Sequence, residues 1–136
     1  MAKSLIIFSD GGSRGNPGQA AIGYTIQNSE GDYLAKVGQK IGIGTNNEAE
    51  YKAIVAALKQ ASNLAGCGEA VVQTYLDSKL VVEQLSGNWK IKEARLALLA
   101  MEAKKLEKNF AKVIYKHIPR EKNSLADSLL NKALDS

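Results

Sequence analysis

Two aspartates each close a short apolar run: Asp10 follows Leu5–Ser9 and Asp77 follows Val71–Leu76. If those runs are parallel neighbouring strands, both acids stand at the carboxyl edge of one sheet, where open α/β folds place their sites. Either aspartate alone also fits a strand-ending turn residue or a helix cap. Helical phase then separates two nearby glutamates. Steps of three and four from Glu50 reach Ile54, Leu58 and Ala61, an apolar face, whereas steps from Glu48 reach Lys52 and Lys59, a wet one. Glu48 is therefore expected at the surface with Lys52 as its i,i+4 partner. Glu50 is expected to point towards the sheet, where a carboxylate needs cations or a proton. Asp127 sits near the edge of a wide apolar helical surface and, taken alone, fits a solvated position.

Several acids converging at one sheet edge repel one another unless hard divalent cations lie among them, and carboxylate plus water is the ligand set of Mg²⁺ or Mn²⁺. Such a constellation suits two ions about 4 Å apart and in-line displacement at phosphorus. Other chemistries fit worse. One Cys and one His do not make a usual zinc site. No local motif marks a serine nucleophile for His117, and the loop at residues 11–18 lacks the Gly-Lys-Ser/Thr ending of a P-loop. A glycosidase would want aromatic sugar platforms, yet aromatics are 6% of the chain.

The elements that must position these acids are legible from pattern. Residues 11–18, Gly-Gly-Ser-Arg-Gly-Asn-Pro-Gly, read as a turn or loop. Ala20–Gln27 and Tyr33–Ile41 read as two strands, the second with Tyr33, Ala35, Val37 and Ile41 on one face. A helix is expected from Asn46 or Asn47, with Asn as N-cap, to about Leu64 before Gly66. After the Val71–Leu76 strand come a short helix over Ser78–Leu85 and a longer one over Glu93–Asn109. Lys112–Ile118 alternates as an edge strand, Pro119 ends it, and a last helix covers Ser124–Leu134. The order βββαβααβα predicts an α/β fold with one mixed sheet and helices on its faces.

At 136 residues the chain fits one domain spanning residues 1–136, with 45% hydrophobic and 24% charged residues. No apolar run is long enough to cross a bilayer, so no membrane partner and a cytoplasmic location are expected. Cys67, between two glycines, reads as a bystander thiol. The net charge of +4 is concentrated in residues 90–122, which hold ten Lys/Arg against four Asp/Glu. A polyanionic partner explains that bias through counterion release, and a solvated lysine-rich helix explains it equally well.

Taken together, Ser9-Asp10-Gly11-Gly12 with Gly15-Asn16-Pro17-Gly18, Thr45-Asn46-Asn47-Glu48-Ala49-Glu50, Leu76-Asp77-Ser78, His117 and Asn123–Asp127 resemble the type 1 ribonuclease H family. The resemblance covers essentially the whole chain and points to compact archaeal and bacterial forms without an extended basic protrusion. It implies a ribonuclease H-like five-stranded sheet: an antiparallel meander of three strands, with the fourth and fifth parallel to the first. It further implies cleavage of the RNA strand of RNA/DNA hybrids, leaving 5′-phosphate and 3′-hydroxyl ends, by a monomer that some relatives extend to double-stranded RNA. Asp10, Glu50, Asp77 and Asp127 would hold two Mg²⁺, with Mn²⁺ as a substitute, and His117 would assist proton transfer or product release. Asn16, Thr45, Asn46 and Asn47 match positions that touch the hybrid, where short amides and hydroxyls suit the 2′-OH. Lys90, with Lys92 and Trp89, stands in for the missing protrusion, and Arg120 would share the work of His117. Ile43 occupies a place where some relatives put a basic phosphate contact.

Overall fold

A computed structural model describes residues 3–136. The chain order is β1 (Lys3–Gly15), β2 (Gly18–Asn28), β3 (Tyr33–Gly44), α1 (Asn46–Ala61), β4 (Ala70–Leu76), α2 (Lys79–Leu85), α3 (Ala94–Glu107), β5 (Lys112–His117) and α4 (Ser124–Asp135). The sheet order is β3-β2-β1-β4-β5, with β2 antiparallel to β1 and β3, and β4 parallel to β1 and β5. This is the expected mixed sheet, with β5 at an edge. No helix is long and apolar enough to cross a membrane among the described residues.

The glycine-rich stretch departs from expectation. Residues 11–15 are not a loop: they continue β1 and pair with β2 from Gly11 opposite Ile22 to Gly15 opposite Gly18. Only Asn16 and Pro17 turn the chain. Cross-strand pairing gives those backbone groups the partners that isolated glycines lack, and this outweighs their weak strand preference.

The N-cap of α1 is Thr45, not an asparagine. Its hydroxyl accepts from the Glu48 amide at 3.1 Å while the Glu48 carboxylate accepts from the Thr45 amide at 3.3 Å, a reciprocal capping box. Glu48 is thus bound into the helix start, and its ion-pair partner is Arg95 at 3.7 Å rather than Lys52. The helix ends at Ala61, short of Leu64, where Ser62 turns its hydroxyl back onto the Leu58 carbonyl at 2.6 Å. Cys67 lies half-buried in a 3-10 turn over Cys67–Glu69.

The core lies between the sheet and α1, whose Tyr51, Ile54 and Leu58 are fully buried against Ile7, Val72 and Leu76. Burial of such side chains stabilises the fold by about 1.5–3 kcal/mol each. On the other face α4 packs on β1, β2 and β3. It comes close because Gly23 and Gly38 carry no side chains: a Cβ there would lie 2.1 Å from the Ala126 carbonyl oxygen and 2.2 Å from that of Leu129.

Candidate active site

Four separate elements deliver the acids. Asp10 is carried by β1 opposite Gly23 of β2, and Asp77 is the first residue after β4. Glu50 sits in the second turn of α1. It reaches the strand because Gly11 lets the helix backbone touch β1: a Cβ on Gly11 would stand 2.2 Å from the Ala49 carbonyl carbon and 2.4 Å from the Glu50 nitrogen. Asp127 lies near the start of α4, and Asn123 fixes that start by donating its Nδ2 to the Ser9 carbonyl at 2.8 Å.

Carboxylate oxygens of Asp10, Glu50 and Asp77 all lie within 4.8 Å of one another. Asp127 joins them on the wall of a cleft of about 470 Å³ at the carboxyl edge of the sheet. Asp10 is 5% exposed and Glu50 7%. Burial pushes the Asp10 carboxyl up to about 7; a hydrogen bond from Glu50 works against the shift, and the charges of Asp77 and Asp127 add to it. Burial also drives Glu50 well above the carboxylate range, reinforced by the hydrogen bond to Asp10 and its charge, with the Gly11 amide opposing. Both carboxyls are therefore biased towards their neutral forms, Glu50 the more strongly. The other Glu50 oxygen, Oε2, is buried without a partner among the described residues.

An all-oxygen donor set, mutually repelling and with one buried acceptor unsatisfied, fits hard divalent cations. The same cleft could not hold a soft metal through thiolate, since Cys67 lies elsewhere, against the Ser62 carbonyl.

The remaining predicted residues divide into two groups. Asn46, Asn47 and Arg120 line the cleft with the acids. Asn16 and Asn46 also brace its rim: the Asn16 Oδ1 accepts from the Asn46 amide at 3.0 Å, and the Asn46 Oδ1 accepts from the Ser13 amide at 2.9 Å. Both oxygens are occupied, so the two Nδ2 groups remain as donors. Thr45 acts on its helix as cap. His117 ends β5 opposite Leu76, one residue before Asp77, and is exposed without lining the cleft. Lys90 is exposed, away from the cleft lining, and its carbonyl is held by Gln84 Nε2 at 3.2 Å. Trp89 is 43% exposed, with the Lys79 ammonium 6.0 Å from its ring.

Sequence reasoning missed Arg14, Ser78 and Asn131, which also line the cleft. Asn131 was findable, since it stands one helical turn beyond Asp127 and donates to its carbonyl at 3.0 Å. Arg14 gave no signal, because its place is set by a 2.7 Å ion pair with Asp135 across the fold.

A family model described as reverse transcriptase-like matches residues 8–133. The crystal structure of ribonuclease H1 from Halobacterium salinarum superposes with a TM-score of 0.91 at 38% identity, covering 97% of this chain and 98% of that one. The chain belongs to the type 1 ribonuclease H family. A second ribonuclease H1, isolated from compost and solved in complex with an RNA/DNA hybrid, matches at 38% identity with a TM-score of 0.87 over 96% of each chain. A bifunctional protein of Mycobacterium tuberculosis is 43% identical over 97% of this chain. The chain spans 36% of that relative's length and 63% of the Halobacterium ribonuclease HI sequence, with which it is 40% identical.

Proposed function

We propose that the chain is an endoribonuclease that hydrolyses the RNA strand of RNA/DNA hybrids, leaving 5′-phosphate and 3′-hydroxyl ends. The observation that carries this reading is the meeting of Asp10, Glu50 and Asp77 within 4.8 Å at one sheet edge, with a buried oxygen of Glu50 unpaired. The hybrid bound by the compost ribonuclease H1 supports the choice of substrate.

Asp10, Glu50, Asp77 and Asp127 would hold two Mg²⁺, with Mn²⁺ as substitute. When bound, such ions supply Lewis acidity at phosphorus, activation of water near neutral pH and charge neutralisation at the leaving oxygen. The protein's own residues do the rest. The free Nδ2 groups of Asn16 and Asn46, with Asn47 beside them, donate to acceptors of the minor groove and backbone. Arg120, on the cleft wall, pairs with a phosphate near the cut. His117 exchanges a proton with the departing 3′-oxygen or helps release product. Lys90 and Lys92, with Trp89, hold the hybrid farther from the cut. We take the domain to act as a monomer in the cytoplasm.

The test is a labelled hybrid incubated with purified protein and Mg²⁺ or Mn²⁺, beside the matching DNA duplex. Cleavage of the RNA strand with the duplex spared is expected, and failure with both metals would sink the proposal. A catalytically silent binding module is the contrasting reading, and Asp10→Asn separates the two: lost cleavage with retained hybrid binding belongs to the enzyme. Double-stranded RNA as a third substrate sets the breadth of the activity.

A further inference from the structure

One face of the sheet lies outside the hydrophobic core. Leu5, Ile7, Val72 and Tyr115 point into the core under α1, whereas Ile6, Phe8, Val71, Tyr75 and Ile114 are half-buried on the opposite face and form no part of it. α4 covers that face over β3, β2 and the adjoining part of β1. α2 meets β4 and β5 from the core side, through Val81 and Leu85. Among the described residues, the β1-β4-β5 half of the outer face has no comparable cover.

Register arranges this face as a row. Lys36 on β3, Thr25 on β2, Phe8 on β1, Tyr75 on β4 and Lys116 on β5 are successive cross-strand partners. Four strand spacings put the two lysines about 19 Å apart. Phe8 and Tyr75 stack with centroids 5.0 Å apart, the Lys116 ammonium stands 6.0 Å from the Tyr75 ring, and that of Lys36 stands 4.3 Å from the Tyr33 ring. Lys112 exposes a third cation on the same face of β5, two residues from Ile114. Lys122 lines a recess of about 140 Å³ beside Phe8, Tyr33 and Leu125. The side chains of β1 and β4 below this row, Ser4, Ile6, Val71 and Gln73, include no carboxylate.

Two residues beyond the aromatic pair stand Asp10 on β1 and Asp77 just past the end of β4, so the face runs directly into the cleft. Edge lysines alone are a common guard against strand pairing. They leave unexplained an uncovered aromatic and aliphatic surface between them. Lysines for phosphates around apolar and aromatic side chains for unstacked bases make the chemistry of single-strand binding on a sheet. A duplex keeps its base faces stacked inside and cannot use such a surface.

We infer that this face binds single-stranded nucleic acid, the unpaired continuation of a strand engaged at the cleft. The inference rests on the proposed function only for that link to the cleft.

Short fluorescein-labelled oligothymidylate and oligouridylate are titrated with the protein in EDTA, which stops metal-dependent cleavage, and anisotropy is read across a salt series. Replacing three exposed lysines together, Lys36→Glu, Lys112→Glu and Lys116→Glu, is expected to weaken binding at least tenfold. It should also flatten the slope of log K against log salt by about 2, at roughly 0.7 per lost phosphate contact. Tyr75→Leu keeps the apolar volume and should weaken binding several-fold without changing the salt slope. Cleavage of a blunt hybrid by the triple variant should match wild type, which also shows that it folds. Equal binding by wild type and the triple variant, or no binding of either probe, overturns the inference. So does self-association in sedimentation that the triple variant abolishes, since a second copy would then cover the face. A wild-type protein that binds the probes through these lysines yet cleaves no hybrid sinks the proposed function and leaves this inference standing.

Discussion

Asn123 Nδ2 donates to the Ser9 carbonyl at 2.8 Å, joining the start of α4 to β1 one residue before Asp10. Asn123 is 1% exposed, and this bond sets where the first turn of α4 presents Asp127. Asn123→Ala leaves the Ser9 carbonyl without that donor in a buried place, at a cost of about 1–3 kcal/mol. Urea unfolding should show that loss, and cleavage of hybrid should fall more than hybrid binding as Asp127 drifts from Asp10. Unchanged turnover would show that Asp127 needs no such anchor.

Neighbouring glycines should differ sharply. Gly11→Ala drives a Cβ to 2.2 Å from the backbone of Ala49, so α1 must move and carry Glu50 with it. Gly12→Ala meets only the Leu130 Cδ1, at 3.6 Å. The first variant is expected to lose several kcal/mol, as strained backbone contacts in a core do, and to lose cleavage. The second should stay within about 1 kcal/mol of wild type and remain active. Denaturation midpoints and hybrid cleavage, measured side by side, check the pair.

Burial of the Asp10 and Glu50 carboxyls makes metal-free stability fall as pH rises. Asp10 moves from 3.8 to about 7 on folding. Below pH 3.8 both the folded and unfolded chains hold the proton and there is no penalty. Between there and about 7 the unfolded chain releases a proton that the folded chain keeps, so stability drops with rising pH, on the order of 4 kcal/mol in full. Glu50 acts in the same direction. Asp10→Asn removes the penalty, so its thermal midpoint in EDTA should exceed wild type increasingly from pH 4 to 7 and hold that excess above it. Mg²⁺ should narrow the difference at pH 7 and above, because bound cations favour the charged folded form. A wild-type advantage in EDTA at pH 7 would contradict the buried-carboxylate account.

Tyr51, next to Glu50 in α1, donates its hydroxyl to Gln84 Oε1 at 2.7 Å, and Gln84 Nε2 holds the Lys90 carbonyl at 3.2 Å. Tyr51→Phe strands a buried amide oxygen and should cost about 1–3 kcal/mol. Gln84→Leu frees the segment that carries Trp89 and Lys90, so it should raise KM for the hybrid with kcat little changed. The double variant should be less destabilised than the sum of the singles, because one loss removes the partner of the other. Additive effects in that cycle would deny the connection.

Local pattern alone determined a good deal. The apolar runs before Asp10 and Asp77 required strands leading into acids, although β1 runs on through Asp10 to Gly15, and helical phase assigned Glu50 to the inner face of α1. The motif set implied the family and the mixed sheet, since the order of elements leaves few ways to bury their apolar faces. Distant contacts decided the rest. Residues 11–15 look like a loop because glycine has little preference of its own, and only the β2 ladder makes them strand. Glu48 looked free for Lys52 until the Thr45 cap and Arg95 claimed it. Asp127 joined the other acids because Gly23 admits α4 and Asn123 ties it to Ser9, neither of which a helical pattern records. The row from Lys36 to Lys116 spans five strands, so no local stretch of sequence contains it. Sequence carries the periodicities that bury side chains; which buried and half-buried groups face one another is set by register and by the closeness that glycines allow.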